Sequence, residues 1–333
     1  MTTVLRGTRA RTMSFFALLT VFTMVFIAGC GSTGTSGGIT GGPGVDLTNK
    51  TITLGILTPL TGQVAAPIGI PLTNGIETYF AGVNANGGID GFQVHLVEKD
   101  TQYSPQLEVQ QYNAIKDQVA MFGESLGTPT TQAIVQLANS DHILVSAATL
   151  DSYLAREAYI ILIGTPYRLQ VENGFDYIVN QLHVTNPKVG IIYQDDAYGQ
   201  DGLTGFKEAT GCYGLNDVAE ATYELTDTSF VSQVEKMKAA GAKYVWLTAL
   251  PTIAAGIIGA GAALNYFPHW MLQSPAWANG LLAVSPALAA GLSFGADPLP
   301  LAAESPEEEP ESLACLSLVA VAAAPEPFLL SVR

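Results

Sequence analysis

From Thr51 to Leu247 the chain alternates short runs of β-branched and apolar residues with segments whose apolar positions recur at helical spacing. Thr51-Ile52-Thr53-Leu54-Gly55-Ile56-Leu57 predicts a strand that stops at the turn from Pro59 to Gly62. Leu72, Ile76, Tyr79, Phe80 and Val83 then predict a helix, which Asn86-Gly87-Gly88 ends because glycine closes a helix in the left-handed conformation without strain. Strands are expected at 92–98, 119–122, 143–146 and 159–163. Ser104-Pro105 opens one helix, Ser capping free amides and Pro losing no hydrogen bond at the first helical position. Thr128-Pro129 repeats that device for a helix to about Asn139. A second series follows: helix 170–183, strand 188–193, a helix from Tyr198, strand 218–224, helix 230–240 and strand 244–247. Strand and helix alternating on short connections favour parallel sheets covered by helices on both faces. The expected fold is α/β, with two doubly wound lobes at 50–165 and 166–284 joined by a hinge, the second lobe incomplete. Gly164-Thr165-Pro166, between the two series, is the expected first crossing.

Both ends of the chain read differently. Arg6, Arg9 and Arg11 precede an apolar core at 15–27 that is shorter than the ~20 residues needed to span a bilayer, and small residues follow at Ala28-Gly29. That is the layout of a secretory signal over 1–29. Ile27-Ala28-Gly29-Cys30 resembles a bacterial lipoprotein signal, which implies lipid on Cys30 and a protein anchored to the cell membrane on its extracytoplasmic face. Residues 30–49 are rich in Gly, Ser and Thr and read as a flexible tether. At the other end no Lys or Arg occurs from Tyr244 to Val332, and 285–333 turns to Ala, Leu and Pro around an acidic cluster. This stretch reads as divergent, and poor order is expected there.

With 14 Lys and Arg against 29 Asp and Glu, the net charge of -15 leaves no basic footprint for nucleic acid. Cys212 and Cys315 are too few and too far apart for a disulfide framework, and both are read as free thiols. His95, His142, His183 and His269 form no metal-ligand spacing, so neither a metal nor another cofactor is called for.

Ile52 through Gly62 (ITLGILTPLTG), followed by Asn84-Ala85-Asn86-Gly87-Gly88-Ile89-Asp90-Gly91, resembles the branched-chain amino-acid-binding proteins of ABC transporters. Leu126-Gly127-Thr128-Pro129, Ser146-Ala147-Ala148-Thr149 and Asp195-Asp196-Ala197-Tyr198-Gly199 extend the resemblance over about 50–283. It implies the type I periplasmic-binding-protein fold, with a ligand held between the lobes and passed to a permease and ATPase complex. Gly127, Thr128, Ala147 and Thr149 of the first lobe would then hold the ligand's anionic or amide end, with Tyr198, Leu250 and Trp277 facing it from the second. The residue types suit that work. A hydroxyl beside the free amides at a helix start can hold a carboxylate.

The sequence departs from the family where relatives place an aromatic, here Leu250, and where they place an acid against the ligand's ammonium, here Ser274-Pro275-Ala276. A first-lobe disulfide of some relatives is replaced by Tyr103 and Gly127. A buried ammonium without a carboxylate is costly, so a carboxylate or amide ligand fits better than an α-amino acid. Two other readings stand beside this one. A lipid-anchored sensor could use the same cleft to report on its ligand to a membrane partner without transport. Gly123-Glu124-Ser125-Leu126-Gly127 also satisfies the GxSxG of serine hydrolases, with Asp195 or Asp196 and His269 in the order such enzymes use. Against the hydrolase, the helix is expected to start at Thr128, too late for an elbow.

Overall fold

The computed structural model describes residues 41–277. Ten strands and seven α-helices fall in this span. In the first lobe β1 (Val45–Asp46) and β2 (Thr51–Thr58) are followed by α1 (Ile70–Ala85), β3 (Gln93–Asp100), α2 (Pro105–Ile115) and β4 (Met121–Leu126). Then come α3 (Thr128–Asp141), β5 (Val145–Ala148) and β6 (Ile160–Leu162). The parallel strands lie in the order β3-β2-β4-β5-β6, and short β1 runs antiparallel along the start of β2.

In the second lobe α4 (Tyr167–Asp176), β7 (Lys188–Gln194), α5 (Ala197–Cys212), β8 (Asn216–Tyr223), α6 (Val231–Ala240), β9 (Tyr244–Thr248), α7 (Pro251–Ala263) and β10 (His269–Leu272) build a parallel sheet ordered β8-β7-β9-β10. The order reverses at β2/β4 and again at β7/β9, as a doubly wound fold requires.

Side chains of a strand alternate between faces, and the second lobe uses both. Val189, Ile191 and Trp246 join Val171, Phe175 and Phe206 of α4 and α5 on one side. Ile192, Val245 and Leu247 join Val234, Met237, Ile257 and Trp270 on the other. In the first lobe Leu57, Phe122 and Val145 pack under Tyr112, Ile115 and Ile134 of α2 and α3, with the Tyr112 and Phe122 rings stacked at 4.7 Å. Two apolar layers around one sheet explain why the central strands β7 and β9 read as almost unbroken apolar runs.

Several expectations need correction. The fourth strand starts at Met121 and runs to Leu126, taking in Gly123, Glu124 and Ser125. Pairing with β2 and β5 outweighs the weak strand preference of those residues. Ser104 caps α2 as expected, accepting from the Leu107 amide. Thr128 does not cap α3: the capping position is Gly127 at φ 107°, and Thr128 is the first helical residue. Helix α4 begins at Tyr167 rather than 170 and passes into a wider π turn, Tyr177–Gln181. Strand β10 was not expected, its four residues being too few to stand out by pattern. Cys212 is disulfide-bonded, against the reading as a free thiol. Among the described residues no helix is long and apolar enough to cross a membrane. The signal at 1–29, Cys30, most of the tether and the tail at 285–333 lie outside the described residues.

Candidate functional site

A cavity of about 540 Å³ opens where the carboxyl ends of the two sheets face each other. Ligands in open α/β sheets sit at such ends, because loops there can vary while the strands hold them. The first lobe supplies Leu126-Gly127-Thr128 from the β4–α3 junction, Ala147 through Leu150 from the end of β5, and the loop and turn before α1. Tyr198 of α5, Leu250-Pro251 at the start of α7, and Ser274, Pro275 and Trp277 after β10 face them. All seven residues singled out in the sequence line this one cavity: Gly127, Thr128, Ala147, Thr149, Tyr198, Leu250 and Trp277.

Local geometry explains their placement. Gly127 must be glycine: its φ of 107° disfavours any side chain, and a Cβ would lie 2.5 Å from the Tyr103 ring. Tyr103 and Gly127, where the family resemblance places a disulfide of some relatives, are thus in contact here. Immediately after this turn the Thr128 hydroxyl lies 2.6 Å from that of Thr149, and Thr149 is 3.4 Å from the Tyr167 hydroxyl. Both threonines are almost fully buried. This chain of hydroxyls sits at the N-terminus of α3, where free amides carry partial positive charge.

Tyr167 was not singled out in the sequence, nor was the residue that fixes it. The Gln273 amide donates to the Tyr167 carbonyl at 3.2 Å, and the Gln273 carbonyl oxygen accepts from the Thr248 hydroxyl at 2.7 Å. Burial pushes the Tyr167 phenol up to about 12, so it stays a neutral hydroxyl, and its oxygen accepts from Thr149. Its ring meets Tyr198 edge-on at 4.9 Å, and the Tyr198 hydroxyl donates to the Ala249 carbonyl at 3.2 Å. Val64 and Leu126 from one lobe pack with Tyr167, Tyr198 and Leu250 into a single apolar cluster.

Among the described residues, no Asp, Glu, Lys, Arg or His lines the cavity. Asp196 lies behind Tyr103, where its carboxylate accepts from the Tyr103 hydroxyl, the Gln194 amide and the Gly199 backbone. Its pKa is raised, mainly by burial. Asp201 is likewise committed, to Ser152 and Arg168.

The hydrolase constellation is not assembled. Ser125 lies inside β4 without exposure, its hydroxyl donating to Glu108 at 2.6 Å and meeting that of Thr131 at 2.8 Å. An elbow instead presents its serine at a strand-to-helix turn. His269 opens β10 at the amino edge of the other sheet, stacked on Tyr244 with ring centroids 4.7 Å apart. Asp196 caps α5.

Two doubly wound lobes that enclose a shared, ligand-sized cavity between their carboxyl edges define a two-lobed solute-binding protein. The family pattern described as periplasmic binding protein matches residues 51–309, and the chain belongs to that family. The match runs beyond the stretch to about 283 on which the sequence resemblance rested. The Leu/Ile/Val-binding protein homolog 3 of Brucella melitensis is 30% identical over 202 residues, covering 59% of this chain and 53% of that protein. The amino acid binding protein of Pseudomonas aeruginosa is 25% identical over 205 residues, with 60% and 54% covered. The chain therefore spans about half the length of these curated relatives. Among solved structures, a fatty acid ABC transporter substrate-binding protein from Thermomonospora curvata superposes with a TM-score of 0.70 at 31% identity, covering 77% of this chain and 64% of that one. A branched-chain amino acid ABC transporter protein from Thermus thermophilus with bound valine shares the fold, with a TM-score of 0.66 at 19% identity over 72% of this chain and 63% of that one.

Proposed function

We propose that this chain is the extracytoplasmic solute-binding component of an ABC uptake system, capturing a small molecule between lobes 50–165 and 166–284 and presenting it to a permease and ATPase. The observation that carries this reading is the cavity of about 540 Å³ lined from both lobes. That size suits a small ligand, and a wall shared by two lobes lets the ligand favour their closure. Thr128 and Thr149 take the ligand's carboxylate or amide end; Tyr198, Leu250 and Trp277 contact it from the other side. The relatives named for solute binding support the same reading. We further propose that lipid on Cys30 holds the protein at the membrane, with 30–49 as its tether.

Native mass spectrometry of the full chain purified from membranes tests the first part. A small molecule released on denaturation is expected. If none is found, and the protein turns over an ester in a reaction abolished by Ser125→Ala, the binding role is wrong. Fractionation of Cys30→Ala tests the second part. The variant is expected in the soluble extracytoplasmic fraction, and retention as tight as the parent's after signal cleavage removes the lipid anchor.

A further inference from the structure

Gln102 and Tyr103 stand in succession with left-handed backbone, at φ 51° and 58°, a conformation that residues with side chains rarely adopt. Such a turn persists only where its surroundings fix it. Asp100 does so: its Oδ1 accepts from the Gln102 amide at 3.0 Å and the Leu60 amide at 2.9 Å, and its Oδ2 from the Thr61 hydroxyl at 2.6 Å. The turn is thereby fastened to the first lobe. From it the Tyr103 ring lies against Gly127 and forms part of the cavity wall. The hydroxyl reaches further, donating to Asp196 Oδ2 at 3.4 Å and accepting from Gln194 Nε2 at 3.5 Å, both in the second lobe. Those partners are held in turn: Asp196 caps α5 through the Gly199 amide, and Gln194 Oε1 accepts from the Tyr223 hydroxyl at 3.2 Å. One side chain thus joins the turn that carries Thr128 to the cap of the helix that carries Tyr198, and both of those residues line the cavity.

The place of this bridge in the fold decides what it can do. The chain leaves the first lobe from β6, at one edge of the sheet, whereas Tyr103 follows β3, at the opposite edge, with its ring reaching the end of β4. Strands lie about 4.8 Å apart, so the bridge stands roughly 10 to 19 Å from that connection. Turning the lobes by ~20° about the connection separates the pair by about 3 to 7 Å, more than a hydrogen bond survives. The tie of Ser152 to Asp201 lies on the loop after β5, beside the connection, and is stretched less. We infer that Tyr103 is the latch of the closed cleft: its hydroxyl, held by Asp196 and Gln194, keeps the two walls together and sets how fast the occupant leaves. This rests on the solute-binding reading above and names the control of that site.

Tyr103→Phe keeps the ring on Gly127 and deletes the hydroxyl. Two measurements on the full-length chain in its Cys30→Ala form test the latch. Small-angle X-ray scattering, after bound molecules are stripped by unfolding and refolding, is expected to give a larger radius of gyration with Tyr103→Phe than without it. Native mass spectrometry after dilution is expected to show the co-purifying molecule leaving Tyr103→Phe about fivefold faster, and leaving Ser152→Ala at the unsubstituted rate. Equal radii overturn the inference. So does faster release without expansion, which would make the hydroxyl a direct contact of the ligand, and so does equally fast release from Ser152→Ala. In each of these cases the solute-binding role stands. Expansion with nothing co-purifying supports the latch and removes the solute-binding role.

Discussion

Asp201 of α5 is bonded twice by Ser152: the Ser152 amide and hydroxyl both donate to Oδ2 at 2.9 Å. Its other oxygen accepts from Arg168 Nε at 2.8 Å. One buried carboxylate thereby ties the loop after β5 in the first lobe to α4 and α5 in the second.

Asp201→Ala removes three bonds at once and leaves the Ser152 amide without its partner. Hydrogen bonds to a charged group are worth about 1.5 to 3 kcal/mol each, and Arg168 is partly exposed, so a net loss of about 2 to 4 kcal/mol is expected. Urea unfolding would read this as a lower midpoint. An unchanged midpoint would mean that the two lobes do not depend on this tie.

Thr149→Val keeps the shape of the cavity wall and deletes one hydroxyl. Affinity for a carboxylate ligand should fall about ten- to a hundredfold, corresponding to roughly 1.5 to 3 kcal/mol. Calorimetry against the parent checks it; equal affinity would leave the Thr149 hydroxyl with only its bonds to Thr128 and Tyr167 to explain it.

Gly127→Ala forces a side chain into a left-handed backbone and against Tyr103. A cost of about 1 to 3 kcal/mol is expected, together with weaker ligand binding, because α3 and Thr128 start from this turn. Thermal unfolding combined with a binding titration would separate the two effects.

Glu108 and Glu124 sit buried in the first lobe, their carboxyls pushed up to about 8 and about 7, chiefly by desolvation. Because the folded chain holds these protons more tightly than the unfolded one, their contribution to stability is complete below about pH 4.5. It is lost as pH rises through 7 to 8. Glu108→Gln keeps an acceptor for Ser125 and removes the titration. Melting curves at pH 5 and pH 8 should differ less in this variant than in the parent, and an equal difference would show that Glu108 is already ionised in the fold.

Much of this was legible in the sequence, for identifiable reasons. Strand β7 reads directly because both its faces are buried, so Val189, Ile191 and Ile192 form a continuous run. Ser104-Pro105 marked a helix start because capping is a local interaction. The cavity residues came from resemblance, since a threonine at a helix start looks alike whether it caps or binds; what the sequence hid is that Gly127 takes the capping position and the Thr128 hydroxyl turns to Thr149. Tyr167 and Gln273 left no signal, because their roles depend on a pairing 106 positions apart. The buried Glu124 was equally hidden, since a lone acid between Gly123 and Ser125 reads as a turn.

Ile163 and Gly164 form part of the cavity wall and are also links in the chain where it leaves the first sheet for α4. Under the proposed closure of the lobes, whatever packs against them leans on the connection between the two sheets. Filling the cavity and bending that connection would then be one mechanical event, with no relay of intermediate side chains needed to report that a molecule has arrived.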